Sequence, residues 1–133
     1  MILDVNTGIL TLLFTDIEGS TEKWEQEPER MAHALARHDV LLRAAVEAHR
    51  GRVIKTTGDG VYAAFADAAD CVNSAIAIQR SVADPTATAG MRLSVRCGLH
   101  AGPALERDND FFGNTTNRAA RIMGLAYGGQ VLA

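Results

Sequence analysis

Between Gly8 and Gly19 the chain runs Ile9-Leu10-Thr11-Leu12-Leu13-Phe14-Thr15, apolar at both odd and even positions. A run of that length and β-rich composition, bounded by glycines, predicts a strand over 9–15 buried on both faces. The period then changes. Trp24, Met31, Leu35, Leu42, Ala45 and Val46 recur at helical spacings down to Gly51, which predicts a helix capped by Ser20 or Thr21 and broken or bent early by Pro28. Residues 52–57 and 61–65 read as two short strands around Gly58-Asp59-Gly60, a hairpin turn. Asp67 is placed to cap a second helix, with Val72, Ala75, Ile76, Gln79 and Val82 as its apolar stripe. DPTATAG (84–90) reads as a loop, 91–101 as a strand, RDNDFFGN (107–114) as a turn, 115–125 as a third helix, and GGQVLA as the beginning of a last strand.

The order strand, helix, hairpin, helix, strand predicts an α+β, ferredoxin-like βαββαβ sheet of the palm type with helices on one face, a further helix and strand being appended. At 133 residues the chain has room for one domain, 1–133, with one core. Because the last strand has only begun at Ala133, the domain is expected to be a C-terminally truncated piece of a longer protein.

Charge narrows the function classes. Thirteen Lys and Arg against sixteen Asp and Glu give a net charge of −3, so no basic field gathers nucleic acid. No apolar stretch is long enough to span a membrane, and the start MILDVNTG lacks the regions of a signal peptide, so the expected location is cytoplasmic. Cys71 and Cys97 lie in apolar segments without a CxxC pattern and read as buried free thiols.

Within that outline two carboxylates stand out. Asp16 ends the first strand and Asp59 sits in the hairpin turn, so a sheet pairing those elements brings both to one place. Such a pair needs a counter-charge, and Mg²⁺ commonly takes one or two protein carboxylates together with water and substrate phosphates. The turn Gly19-Ser20-Thr21 leads into a helix N-terminus, where backbone N–H groups and hydroxyls favour phosphate oxygens. Taken alone, Asp59 is ordinary turn chemistry and Asp16 a polar strand end; their convergence favours a nucleotide–metal site.

FTDIEGST, VIKTTGDGVYAAF, VRCGLHAG and DFFGNTTNRAARI, in that order and covering Leu10 to the C-terminus, resemble the consecutive motifs of class III adenylyl and guanylyl cyclase catalytic domains, especially actinobacterial ones. The resemblance implies that Asp16 and Asp59, with the Ile17 carbonyl, hold two Mg²⁺ or Mn²⁺ ions. It implies that Lys55 and Asp110 read adenine, the ammonium donating to N1 and the carboxylate accepting from the exocyclic amine. Asn117 and Arg121, four apart on one helix face, match the pair that orients the ribose and neutralises the phosphate under attack. Glu18 is left as a solvated carboxylate.

The resemblance further implies an adenylyl cyclase forming 3′,5′-cyclic AMP and pyrophosphate from ATP in a homodimer. Each composite site would take Asp16 and Asp59 from one chain and Lys55, Asp110, Asn117 and Arg121 from the other. Thr116 departs from the family's aliphatic residue, and the segment carrying a triphosphate-binding lysine falls beyond Ala133. The alternative is a cyclase-like nucleotide-binding module regulating a larger transcriptional regulator. A diguanylate-cyclase or polymerase palm shares the layout, but no GGDEF-like hairpin is present.

Overall fold

The computed structural model describes residues 8–133; the stretch 1–7, most of the segment that bears on a signal peptide, lies outside the described residues. Strand β1 (Ile9–Ile17) is the centre of a five-stranded sheet, longer by two residues than the sequence pattern predicts. Helices α1 (Ser20–Gln26) and α2 (Pro28–Ala48) follow, divided at Glu27. Pro28 opens α2 because its missing N–H is harmless in a first turn and disruptive inside a helix. Strands β2 (Arg52–Thr56) and β3 (Val61–Phe65) form the expected hairpin, α3 (Ala68–Val82) crosses back, and β4 (Val95–Pro103) pairs antiparallel with β1 along its whole length. A short hairpin of β5 (Leu105–Arg107) and β6 (Asp110–Phe112), helix α4 (Asn114–Leu125) and strand β7 (Val131–Leu132) complete the order. The main sheet runs β2-β3-β1-β4-β7, the βαββαβ arrangement with β7 added parallel to β4.

Alternation along β1 sorts the two faces. Leu13 and Ile17 join Met31, Leu42, Val46, Phe65, Ile78 and Leu99 in the larger core, under α2 and α3. Leu12, with Leu10 and Phe14 beside it, packs with Tyr62, Ala64, Phe111 and Ala119 on the opposite face, where α4 lies. The two helices of the βαββαβ unit thus share one face as expected, and the appended α4 takes the other. That second face is the one that carries Asp16.

α4 lies close to β4 because of Gly98. A Cβ there would fall 2.2 Å from the Met123 backbone nitrogen and 2.4 Å from its Cα, so only glycine leaves room for the helix.

Several expectations need correction. Ser20 and Thr21 do not cap α1: the N-cap is Gly19 at φ 71°, with no side-chain cap bond, which leaves both hydroxyls inside the first turn, where they are too late to cap. α1 buries no residue, and Trp24 stays 37% exposed. On α3 the buried face is Cys71, Ser74, Ala75, Ile78 and Val82, while Val72 and Ile76 are exposed. The buried positions 71, 74, 75, 78 and 82 follow the helical i, i+3, i+4, i+7 spacing, and Val72 and Ile76 fall outside that stripe. Asp67 does cap α3, accepting from the Ala69 N–H at 2.8 Å.

The 84–90 stretch is not plain loop. Pro85–Thr88 forms a 3-10 helix capped by Asp84, and the strand expected from Met91 begins only at Val95. Nor is 107–114 a simple turn. Asp108 and Asn109 both take positive φ, 53° and 62°, and close the two-residue β5–β6 hairpin, a geometry that Asp and Asn tolerate better than most residues. Cys71 and Cys97 are both free and buried, and desolvation pushes each thiol up to about 12.

Candidate active site

The end of β1 and the β2–β3 turn meet as the sequence predicts. Thr15 pairs with Val61, so the next residues of each strand, Asp16 and Gly60, are neighbours and Asp59 follows toward Ile17. The contact is close: a Cβ on Gly60 would lie 2.1 Å from the Thr15 carbonyl oxygen, so the turn carrying Asp59 can reach β1 only with glycine there. The Thr57 N–H donates to the Gly60 carbonyl at 2.9 Å and closes the turn. Asp59 is half-buried and Ile17 is buried.

The oxygens on offer, two carboxylates and a backbone carbonyl, are hard donors of the type Mg²⁺ and Mn²⁺ prefer. Among the described residues no group of three or more His, Cys, Asp or Glu is assembled as a metal cage. Two carboxylates and a carbonyl suit a hard ion that takes its remaining ligands from water and phosphate.

Asp16 has a partner that the sequence reading misses. Arg96, directly opposite it on β4, donates from Nε to Oδ1 at 2.6 Å and from its second terminal nitrogen to Oδ2, a two-pronged ion pair. Its other terminal nitrogen reaches the Gly124 carbonyl at 3.5 Å, near the C-terminal end of α4. The motif VRCGLHAG was available as a signal, because in an antiparallel pair residues opposite each other share a face; the register was not.

Glu18 is the second surprise. It is exposed, as expected of a solvated carboxylate, but it also accepts a short hydrogen bond from the Gly128 N–H, and its own N–H donates to the Ser94 carbonyl at 2.8 Å. The bond ties the turn after β1 to the segment between α4 and β7. Gln79 reinforces that segment from α3, donating to the Val95 and Gln130 carbonyls at 2.8 and 3.2 Å.

Lys55 and Asp110, 55 residues apart, form an ion pair of 2.8 Å. A bulge makes this possible. The β2–β3 register slips between Val53 and Lys55, so Val53 packs into the α2–α3 core while Lys55 stands opposite Tyr62 on the other face. Its Nζ lies 5.8 Å from the Tyr62 ring centroid, and Tyr62 stacks on Phe14 at 4.3 Å. Asp110 also accepts from the Phe111 N–H at 2.8 Å. The Lys55 hydrogen bond, followed by this backbone bond, holds the Asp110 carboxyl below the usual carboxylate range.

Because the Asp110 pKa is depressed on folding, the pair's contribution is complete above about pH 4 and fades only as pH falls through the lower folded value. Carboxyl-carbon NMR should place the Asp110 midpoint below that of an exposed aspartate. Lys55→Met should raise the midpoint; an unchanged midpoint would mean that the ion pair does not form in solution.

Asn117 and Arg121 project from α4, both exposed, and among the described residues their side chains make no hydrogen bond or ion pair. No hydrogen bond or ion pair among the described residues joins either of them to Asp16 or Asp59. Thr116, next to Asn117, is half-buried and hydrogen-bonds the Phe111 carbonyl at 3.3 Å, with the Tyr62 hydroxyl at 3.5 Å, fixing α4 to β6 and β3. Gly19, Ser20 and Thr21 line the start of α1, close in sequence to Asp16.

Comparison with known proteins gives this arrangement its context. A family model described as the adenylate and guanylate cyclase catalytic domain matches residues 5–133. An uncharacterized protein of Mycobacterium tuberculosis is 42% identical over 128 residues, covering 95% of this chain and 42% of that protein. A putative adenylate cyclase of Rhizobium meliloti is 35% identical over 131 residues, 96% of this chain and 22% of its own length. Among solved structures, adenylate cyclases of Trypanosoma brucei in their monomeric state superpose with a TM-score of 0.82 at 28% identity, over 95% of this chain and 73% of that one. The chain thus spans less than half the length of these two curated relatives. No helix among the described residues is long and apolar enough to cross a membrane.

Proposed function

We propose, because the chain belongs to the adenylate and guanylate cyclase catalytic domain family, that residues 1–133 form the catalytic domain of an adenylyl cyclase acting as a homodimer on ATP. The observation that carries the choice of base is the Lys55–Asp110 pair, 2.8 Å apart on the face that also bears Asp16. One donor and one acceptor held side by side complement adenine, which offers N1 as acceptor and its amine as donor; guanine offers the reverse.

In this reading Asp16, Asp59 and the Ile17 carbonyl hold the divalent ions, and Gly19, Ser20 and Thr21 receive phosphate oxygens at the start of α1. Bound there, Mg²⁺ or Mn²⁺ would activate the ribose 3′ oxygen and neutralise charge on the phosphates. The partner chain supplies Lys55 and Asp110 to orient the base, Asn117 to hold the ribose, and Arg121 to offset charge on the α-phosphate as the 3′ oxygen attacks and pyrophosphate leaves. One observation supports a site shared between chains: Asn117 and Arg121 are solvent-facing, and their side chains are unengaged among the described residues.

The test is a cyclase assay with ATP and GTP, in Mn²⁺ and in Mg²⁺, across a protein concentration series. Cyclic AMP should dominate, and specific activity should rise with concentration. Preference for GTP would overturn the base assignment, and concentration-independent activity from a monomer would overturn the composite site.

A further inference from the structure

The β5–β6 hairpin shares no strand pairing with the main sheet, so side chains set the place of Asp110 relative to Lys55. Phe111 is buried in the smaller core with the Arg52 guanidinium carbon 5.6 Å from its ring centroid, and Arg52 also pairs with Glu106 at 2.9 Å. A further tie runs to α4, where the Thr116 hydroxyl donates to the Phe111 carbonyl at 3.3 Å. The residue after Asp110 is thus held from both sides: its N–H donates to the Asp110 carboxylate at 2.8 Å, and its C=O accepts from Thr116.

Tyr62 extends this chain across the sheet. It stands opposite Phe14 in the β1–β3 register and opposite Lys55 in the β2–β3 register, and it is buried, with the Lys55 ammonium 5.8 Å from its ring centroid. Its hydroxyl oxygen lies 3.5 Å from that of Thr116. A threonine hydroxyl has one proton, and the Phe111 carbonyl takes it, so the Tyr62 O–H is the donor to Thr116. Burial, with the Asp110 charge as a lesser cause, raises the Tyr62 pKa above the ordinary tyrosine value, so the phenol keeps the proton it donates. An aliphatic side chain at 116, the kind the family resemblance leads one to expect, would take the partner from a buried hydroxyl and the side-chain donor from the Phe111 carbonyl. Tyr62 and Thr116 form a matched pair.

We propose that the relay from the Tyr62 hydroxyl through the Thr116 hydroxyl to the Phe111 carbonyl sets nucleotide specificity, by fixing β6 and α4 against β3 and so holding Asp110 at Lys55. Tyr62 and Thr116 act through the ion pair and are positioning residues. A donor and an acceptor held at a fixed separation reject the reversed pattern of guanine, because the mismatched groups cannot move to satisfy themselves elsewhere. Loosening the relay lets them move and narrows the difference between the two bases. Thr116 also precedes Asn117, so the same relay fixes the turn of α4 that presents the ribose-orienting residue.

This inference rests on the base-reading role proposed for Lys55 and Asp110, and two measurements separate them. The first needs no nucleotide. In Thr116→Val and in Tyr62→Phe, which keep the shape of the side chain and remove one hydroxyl, the Asp110 midpoint read by carboxyl-carbon NMR should rise toward that of an exposed aspartate. Thr116→Ser, which keeps the hydroxyl, should stay at the wild-type midpoint. Unchanged midpoints in both hydroxyl-deleted variants overturn the proposal. The second measurement is the ratio of kcat/KM for ATP to that for GTP. It should fall roughly 3- to 10-fold in Thr116→Val and in Tyr62→Phe and return in Thr116→Ser. The double variant should fall no further than the weaker single, because both substitutions break one relay. Hydroxyls that serve stability alone would lower activity toward both nucleotides equally, so an unchanged ratio in these variants, where Lys55→Met lowers it, overturns the proposal. A ratio that Lys55→Met also leaves unchanged removes the base-reading role instead, and the Asp110 midpoints then decide whether the relay anchors the ion pair.

Discussion

Asp59→Ala is expected to lower cyclic nucleotide formation by more than about 100-fold, since even groups one shell out from a catalytic metal typically cost 10- to 100-fold when removed. Its melting temperature should barely change. The Asp59 side chain makes no hydrogen bond or ion pair among the described residues, and the turn around it is closed by the Thr57–Gly60 backbone bond and by Gly60 against Thr15. Asp16→Ala should be equally inactive but for a less simple reason, because it also leaves the Arg96 guanidinium without its carboxylate. Its stability should fall by about 1–3 kcal/mol, the usual cost of leaving one partner of a shielded pair unsatisfied. Parallel activity and melting measurements on both variants check this, and substantial activity in either would remove the metal assignment.

The second large effect belongs to Gly98→Ala. One added methyl group would sit 2.2 Å from the Met123 nitrogen and 2.4 Å from its Cα. Both neighbours are backbone, so the clash cannot be relieved by rotating a side chain; α4 must move off the sheet. Overpacking of this kind costs about 1–3 kcal/mol and occasionally more; contacts this short on backbone atoms place the cost at the upper end, and chemical denaturation should report it. The displacement would also shift Asn117 and Arg121, so activity should fall even in protein that remains folded. A variant with unchanged stability would mean that α4 does not lie on β4 as described.

The sequence made the sheet legible because its signals were local: the two-sided apolar run of β1, the glycine-rich β2–β3 turn, the Asp67 cap and the Pro28 break each follow from a few adjacent residues. Asp16 and Asp59 could be paired because strand ends and turns are what such signals locate. What escaped depended on register or on distant packing. The one-residue bulge at Ile54 sets the face of Lys55, and nothing in RVIKT announces it. The buried stripe of α3 runs through Cys71, Ser74, Ala75, Ile78 and Val82, a helical phase that leaves Val72 and Ile76 exposed and that packing on the rest of the fold decides. Glu18 reads as solvated because the resemblance gives the ligand role to the Ile17 carbonyl and Asp59; it is exposed, but it also has a partner, a backbone N–H 110 residues away. Arg96 could not be matched to Asp16 until β4 was aligned with β1 residue by residue.

The hairpin of β5 and β6 was the most recoverable omission. Asp108-Asn109 between Leu105-Glu106-Arg107 and Asp110-Phe111-Phe112 is a two-residue loop of residues that accept positive φ, and reading it as a hairpin would have put Asp110 at the start of a strand opposite Arg107.

The central claim is that each site draws its metal-binding carboxylates from one chain and its base-reading and phosphate-neutralising groups from the other. Mixing Asp59→Ala with Arg121→Ala chains tests it most directly, because each is inactive alone and each mixed dimer contains one site with all its residues intact. Random pairing at equal concentrations makes half the dimers mixed, with one of two sites restored, so activity should recover to roughly a quarter of wild type. A mixture no more active than its separate components, although mixed dimers form, would contradict the account.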